Sequence, residues 1–225
     1  MTDISKLIKK GMKLRYGGFL VKMNPAKALR VFEQGIAVND PICLYEAGVI
    51  LQDGLAGYFD RSLAFDYIER SASLGHVDAI YTLGWFYMNG GMGNAGYSEE
   101  ILNQKVIDKD QEKGLSLLKD AAARNNTSAI LHIARYYYYE SGSRPDCLKD
   151  CIDWHNKGIE LGEGSCMIDM ADMLILGIGF EKDLTKARRL YEKARDSDSS
   201  LSAINAAEDR IRNFNDLSNI LDDDR

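Results

Sequence analysis

The sequence predicts an all-α protein: about five antiparallel helix pairs set side by side and closed by a C-terminal helix. Two series of small residues predict it. One recurs at Cys43, Ala79, Ala129, Cys166 and Ala203, at steps of 36, 50, 37 and 37 residues. The other, at Ala28, Ala64, Gly114, Cys151 and Ala187, runs 15 or 16 residues ahead of the first. Self-similarity at such a period is the signature of repeated supersecondary units. With only three prolines in the chain, little interrupts a helix.

The first series serves as position zero of one helix in each pair. Four and five residues on stand Ala47-Gly48, Leu83-Gly84, Ile133-Ala134 and Met170-Ala171, and eight residues on Leu51, Tyr87, Tyr137 and Leu174. Position eleven is a glycine at Gly54, Gly90 and Gly177, delayed to Gly142 in the copy that starts at Ala129. At about 100° per residue, positions 0, 4, 8 and 11 share one helix face, and small residues there let a second helix approach. That second helix carries the other series, with Gly35, Ser71, Ala121, Gly158 or Ala194 seven residues after each marker. Leu29 and Phe32, Phe65 and Ile68, Leu115 and Leu118, Ile152 and Trp154, and Leu190 and Tyr191 supply its apolar face. Breaks follow at Asn39-Asp40, Leu74-Gly75, Asn125-Asn126, Leu161-Gly162 and 196–199. Neither helix can bury its apolar face alone, so the pairs must stack.

In chain order the pairs occupy 4–39, 40–75, 76–126, 127–162 and 163–198. The third contains an insertion, 91–110, of about 13 extra residues. Gly91, Gly93 and Gly96 loosen it, and Ser98-Glu99-Glu100-Ile101 reads as a helix start, so a loop with a short helical piece to Ile107 is expected. A capping helix over 199–216 exposes Glu208, Asp209, Arg210 and Arg212, and residues 217–225 form an acidic tail.

The stretch Asp78–Gly90 resembles a Sel1-like repeat, a subclass of the tetratricopeptide-type solenoids. So does Met170–Gly179 followed by Asp183, Lys186-Ala187, Tyr191 and Lys193-Ala194. The resemblance covers nearly the whole chain and rests on packing residues. It implies a right-handed α/α superhelix whose first helices line the concave side of a non-catalytic, protein-binding scaffold. Such relatives serve as adaptors, signalling regulators and bacterial immunity proteins that cap a toxin; a cytosolic immunity protein is the most specific reading implied. The alternative is an enzyme or metal-binding protein of the cysteine-rich, β-lactam-binding type.

Charge is uneven along the chain. Residues 1–30 hold eight Lys/Arg and one acid, Asp3, leaving 20 basic and 33 acidic residues for the remainder. That acidic body argues against nucleic acid as a partner and for a protein partner with basic groups. The basic start reads as a solvated face of the first helix, with an anionic surface as the alternative. No run of about 18 apolar residues exists to span a membrane. No apolar stretch follows Lys6, Lys9 and Lys10 to make a secretory signal. The expectation is a cytoplasmic monomer or weak homodimer with no membrane partner, with Cys43, Cys147, Cys151 and Cys166 reduced and no cofactor.

Opposite the packing face, the first helices present a surface too apolar and aromatic to be only solvated. The protein-binding candidates are Tyr45, Glu46, Asp53, Tyr81, Trp85, Met88, Asn89, His132, Arg135, Tyr138, Tyr139, Asp169 and Asp172. Tyr, Trp, Met and Arg are the types enriched in interface cores, and the four acids would favour basic groups. Catalytic and metal motifs fare worse. Gly91, Gly93 and Gly96 match G-x-G-x-x-G but follow a helix rather than a strand. Ser116 and Lys119 match S-x-x-K without a K-T-G companion. Cys147, Cys151 and His155 share a helical face but span about 12 Å, too far for one ion. Cys151 and Cys166 fall on one seam, where a disulfide would need an oxidising compartment. The acids from Asp196 to Asp198 lack the rest of a calcium loop, and Asn125-Asn126-Thr127 is a glycosylation triplet without meaning in an unsecreted chain.

Overall fold

Six of the helices begin where the sequence places an Asp or Asn as acceptor for their orphan N–H groups. Asp3, Asn24, Asp40, Asp60, Asp110 and Asp183 each accept from the backbone N–H three residues on, at 2.8–3.3 Å. Such a cap is worth about 1 kcal/mol. The computed structural model describes residues 3–91, 107–197 and 200–223, with side chains only as far as Phe214. Among the described residues there are eleven helices and no strand. They are α1 (Ile4–Tyr16), α2 (Pro25–Ile36), α3 (Pro41–Gln52), α4 (Arg61–Ser73), α5 (Val77–Asn89), α6 (Gln111–Ala123), α7 (Thr127–Glu140), α8 (Cys147–Glu160), α9 (Gly164–Leu176), α10 (Leu184–Arg195) and α11 (Leu201–Asp223).

The strongest packing joins α1 to α2, α3 to α4, α5 to α6, α7 to α8 and α9 to α10. The chain divides into two compact units, residues 1–126 and 127–225. The first holds a core of Leu7, Phe32, Ile50, Leu51, Ile68, Leu83 and Phe86 among others; in the second, Met167, Leu174, Tyr191 and Ala207 belong to one cluster.

The turns repeat as faithfully as the helices. Where α3, α5 and α9 end, the N–H groups of Asp60, Asp110 and Asp183 donate to the carbonyls of Leu51, Tyr87 and Leu174 at 2.9–3.3 Å. One aspartate therefore caps the second helix with its side chain and ties it to the first with its backbone. Where α2, α4, α6 and α8 end, the carbonyls of Gly35, Ser71, Ala121 and Gly158 accept from Asp40, His76, Asn126 and Glu163 at 2.8–3.2 Å. This bond, from the C″ residue back to C3, terminates a helix through one left-handed residue. Gly75 and Gly162 supply that residue at φ 86° and 82°, and Asn39 and Asn125 at 56° and 63°.

The small residues lie at the helix contacts. A Cβ added to Gly84 would stand 3.1 Å from the carbonyl oxygen of Gly114, and one added to Gly114 would stand 2.7 Å from Met88 N. At the next kind of seam, a Cβ on Gly35 or Gly158 would overlap the Sγ of Cys43 or Cys166 at 2.3 Å. Cys43, Cys151 and Cys166 are thus small core residues, fully buried and free.

Two expectations change or fall outside these residues. The capping helix does not stop at 216; its backbone is helical to Asp223, because no Gly or Pro lies between Leu201 and Asp223 to end it. Gly93, Gly96, Asp198 and the helical piece expected from Ser98 lie outside the described residues, as do the side chains of the acidic tail.

Overpacking the seam within a pair tests the role of these small residues. Gly84→Leu and Ala187→Trp should each lower the unfolding free energy by about 1–3 kcal/mol or more in urea titration. A transition unmoved by both would place the seams elsewhere.

Candidate functional site

Within the second unit, α7 and α9 turn their outward faces around a cleft of about 320 Å³. Arg135, Tyr138 and Tyr139 come from α7, Asp169, Asp172, Met173 and Leu176 from α9, and His155 reaches in from α8. The first three lie six, nine and ten residues after Ala129. That spacing turns them away from the packing face of α7. Tyr139 and Leu176 stand at 78% and 61% exposure, so the rim is apolar and open. The rings of Tyr138 and Tyr139 meet edge to face, 5.8 Å apart.

The two carboxylates of the cleft are held from several helices at once. Asp169 accepts from Arg135 Nε and Nη2 at 2.7 and 3.1 Å, and its Oδ2 lies 3.4 Å from Nε2 of buried His155. His155 Nδ1 in turn contacts the Cys151 carbonyl at 2.9 Å. Asp172 accepts from the Tyr191 hydroxyl at 2.5 Å and from Arg210 of α11 at 3.1–3.2 Å. His155 and Tyr191 hold the same repeat position, four residues after Cys151 and Ala187, where the earlier pairs carry Phe32, Ile68 and Leu118. The core stripe of the second helix turns polar in these two repeats, and each polar group reaches through to a carboxylate on the outer face.

This wiring sets the electrostatics. Burial alone would raise the Asp169 pKa, but the hydrogen bonds from His155 and Arg135 outweigh it and hold the carboxyl below its usual value. Cys151, His155 and Asp169 sit in the order of a nucleophile, base and carboxylate, with Cys151 Sγ 3.4 Å from His155 Nδ1. The thiol is wholly buried, and burial followed by the charge of Asp169 pushes its pKa up to about 12. A nucleophilic cysteine needs the opposite shift and an open approach. Among the described residues no group of three or more His, Cys, Asp or Glu could hold a metal ion. Ser116 is exposed on α6 in a shallow hollow with Asp110, Glu112, Lys113 and Leu117.

Five of the thirteen residues picked from the sequence therefore meet at the cleft: Arg135, Tyr138, Tyr139, Asp169 and Asp172. His132 sits one turn away, half-buried, with Nδ1 2.9 Å from the Ser128 carbonyl and a pKa lowered by burial. The others belong to the first unit. Tyr45 stacks on His76 with centroids 4.8 Å apart, and Tyr81 lies beside it with burial pushing its hydroxyl up to about 12. Trp85 is half-buried, edge-on to Phe86 at 6.0 Å. Asn89 is exposed, its amide donating to the Trp85 carbonyl at 2.8 Å, and Asp53 ends α3. Two of the candidate residues are taken up by internal contacts instead. Met88 packs into the α5–α6 seam against Gly114. Glu46 is only 4% exposed and ion-paired with buried Arg15, so it cannot attract a partner. Asp169 and Asp172 are also committed, to Arg135 and Arg210, which corrects the argument that these acids call for a basic partner.

The sequence pattern of the Sel1 repeat matches residues 41–76, 94–126, 127–163 and 164–199. This chain belongs to the Sel1 repeat family. The α1–α2 pair lies outside the match yet packs as the later Sel1 pairs do. Human eukaryotic elongation factor 2 kinase is 26% identical over 177 residues, 69% of this chain but 23% of that protein, so this chain spans less than a quarter of it. Among solved structures, a protective antigen of uropathogenic Escherichia coli with an SLR fold superposes at a TM-score of 0.69 with 22% identity, covering 86% of this chain and 38% of that one. An immunity protein from Pseudomonas aeruginosa superposes at 0.57 with 12% identity, covering 95% and 82%. These likenesses are of fold. The Sel1 repeat is a protein-interaction scaffold, and no helix among the described residues is long and apolar enough to cross a membrane.

Two outcomes follow from this geometry. The Asp169 carboxyl releases its proton more readily folded than unfolded, so it adds stability above the unfolded pKa of about 3.9, lost as pH falls toward the lower folded value. The Asp169 contribution to the stability difference between the wild type and Asp169→Asn should therefore be fully present above about pH 5 and shrink as pH falls below about pH 4; a difference independent of pH between about pH 5 and about pH 2 would remove the network. In native protein at mildly alkaline pH, Cys43, Cys151 and Cys166 should resist alkylation, and all should react after unfolding in urea, as read by mass spectrometry.

Proposed function

We propose that this Sel1 repeat protein is a non-catalytic scaffold that binds a polypeptide in the α7–α9 cleft, and in particular that it is a bacterial cytosolic immunity protein that neutralises a toxin effector. One observation carries the reading: the carboxylates of the cleft are already paired, so what remains open to a partner is an apolar, aromatic rim of Tyr138, Tyr139 and Leu176. Interfaces draw their energy from such anchors, and a rigid floor lowers the ordering cost of binding. The acidic balance beyond residue 30 adds a long-range preference for a basic partner. The immunity reading is supported by the family's habit and by the shared fold of the Pseudomonas aeruginosa protein.

Co-expression with the effector encoded beside its gene tests this directly. Wild-type protein should restore growth, and the two should copurify. Tyr138→Ala with Tyr139→Ala should weaken binding by about tenfold or more while leaving the melting temperature unchanged. Protection by the double variant equal to that of the wild type would move the contact elsewhere, and failure of the wild type to protect would remove the immunity reading.

A further inference from the structure

The connection between α1 and α2 carries a feature that the fold does not use. Gly18 and Val21 exchange backbone hydrogen bonds at 3.1 and 2.9 Å, closing a four-residue turn, and Asn24 N–H ties its exit to the Leu14 carbonyl at 2.6 Å. At the tip, Phe19 and Leu20 are 95% and 92% exposed, flanked by exposed Tyr16 and Met23. Leu20 holds φ 66°, a conformation that a side-chain-bearing residue adopts rarely and that tends to mark functional sites. Beside the turn, Lys6, Lys9, Lys10 and Lys13 follow one another along one side of α1 and, with Leu14 and Val21, line an open hollow of about 380 Å³. Lys22, Lys27 and Arg30 are exposed nearby in sequence. Of the eight basic residues in 1–30, Arg15 is spent inside on Glu46 and Lys6 lies 3.3 Å from Asp3, the only acid in that stretch.

We propose that this turn is a docking tip for an anionic lipid surface. Phe19 and Leu20 enter the boundary between headgroups and acyl chains, while Lys9, Lys10, Lys13 and Lys22 meet the headgroup phosphates. Two adjacent large apolar side chains held wholly in water suit a fluid apolar phase, which needs no preformed pocket to receive them. A row of flexible ammonium groups beside an apolar tip suits phosphates whose positions are not fixed. Charge complementarity points the same way, because the basic residues gather at this one end of an otherwise acidic chain. The closed turn holds the tip already shaped, which lowers the ordering cost of docking. This surface shares no residue with the α7–α9 cleft and stands or falls independently of it.

Cosedimentation of the full chain with vesicles tests the proposal. It should bind vesicles of equal parts phosphatidylcholine and phosphatidylglycerol, bind poorly to phosphatidylcholine alone, and dissociate as salt rises. Phe19→Ser with Leu20→Ser should weaken binding by about tenfold or more, and Lys9→Gln, Lys10→Gln and Lys13→Gln by about fivefold each. All five positions are exposed, so circular dichroism should show unchanged folding. Absence of binding to the mixed vesicles would overturn the proposal. So would binding that the Phe19→Ser, Leu20→Ser variant retains and soluble polyaspartate competes away, which would assign the lysines to an acidic protein.

Discussion

Two helices can touch backbone to backbone only where no side chain stands between them, and this chain meets that condition repeatedly. Gly84 lies against Gly114, and Gly35 and Gly158 make room for the sulfurs of Cys43 and Cys166. Every larger feature inherits its position from these contacts. With the seams in place, Phe32, Ile68 and Leu118 reach full burial, each worth about 1.5–3 kcal/mol, and the aspartate-capped turns fall into the same relation in pair after pair. The proposed functional surfaces are what is left when this packing is satisfied.

A repeat that only packed would have no reason to vary its core stripe. Here the stripe changes from Phe32, Ile68 and Leu118 to His155 and Tyr191, and both new groups bond carboxylates of α9. A buried polar group without a partner costs about 1–3 kcal/mol, so His155 and Tyr191 are tolerable only with Asp169 and Asp172 in place. The cost of polar atoms in the core is turned into a rigid floor for the cleft. Arg15 and Glu46 form a comparable buried pair between α1 and α3, whose mutual attraction is largely offset by the cost of taking both charges out of water.

Much of the cleft could be read from the chain, because Arg135, Tyr138, Tyr139, Asp169 and Asp172 all fall on the outward side of a 3.6-residue helix. His155 and Met173 were not found that way. His155 belongs to a helix whose role is to cover the core, and its link to Asp169 crosses between helices. A polar residue where other copies have a large apolar one was the available signal. The charges misled for a related reason. Glu46, Asp169 and Asp172 have basic partners 31, 34 and 38 residues away. Those distances are close to one repeat period, so residues far apart in the chain are neighbours in space.

Periodicity by itself determined the helix class, the pairing of helices, the small residues at the seams and the capped turns, since each depends on spacing within about 40 residues and on the size or hydrogen bonding of single side chains. Tertiary structure alone decided which charges are spent internally, that the Cys151 thiol is buried beside a histidine yet kept protonated, and that Phe19 and Leu20 stand in solvent. Those properties depend on desolvation and on contacts between helices, and no pattern along one strand of chain reports how much water a group has lost.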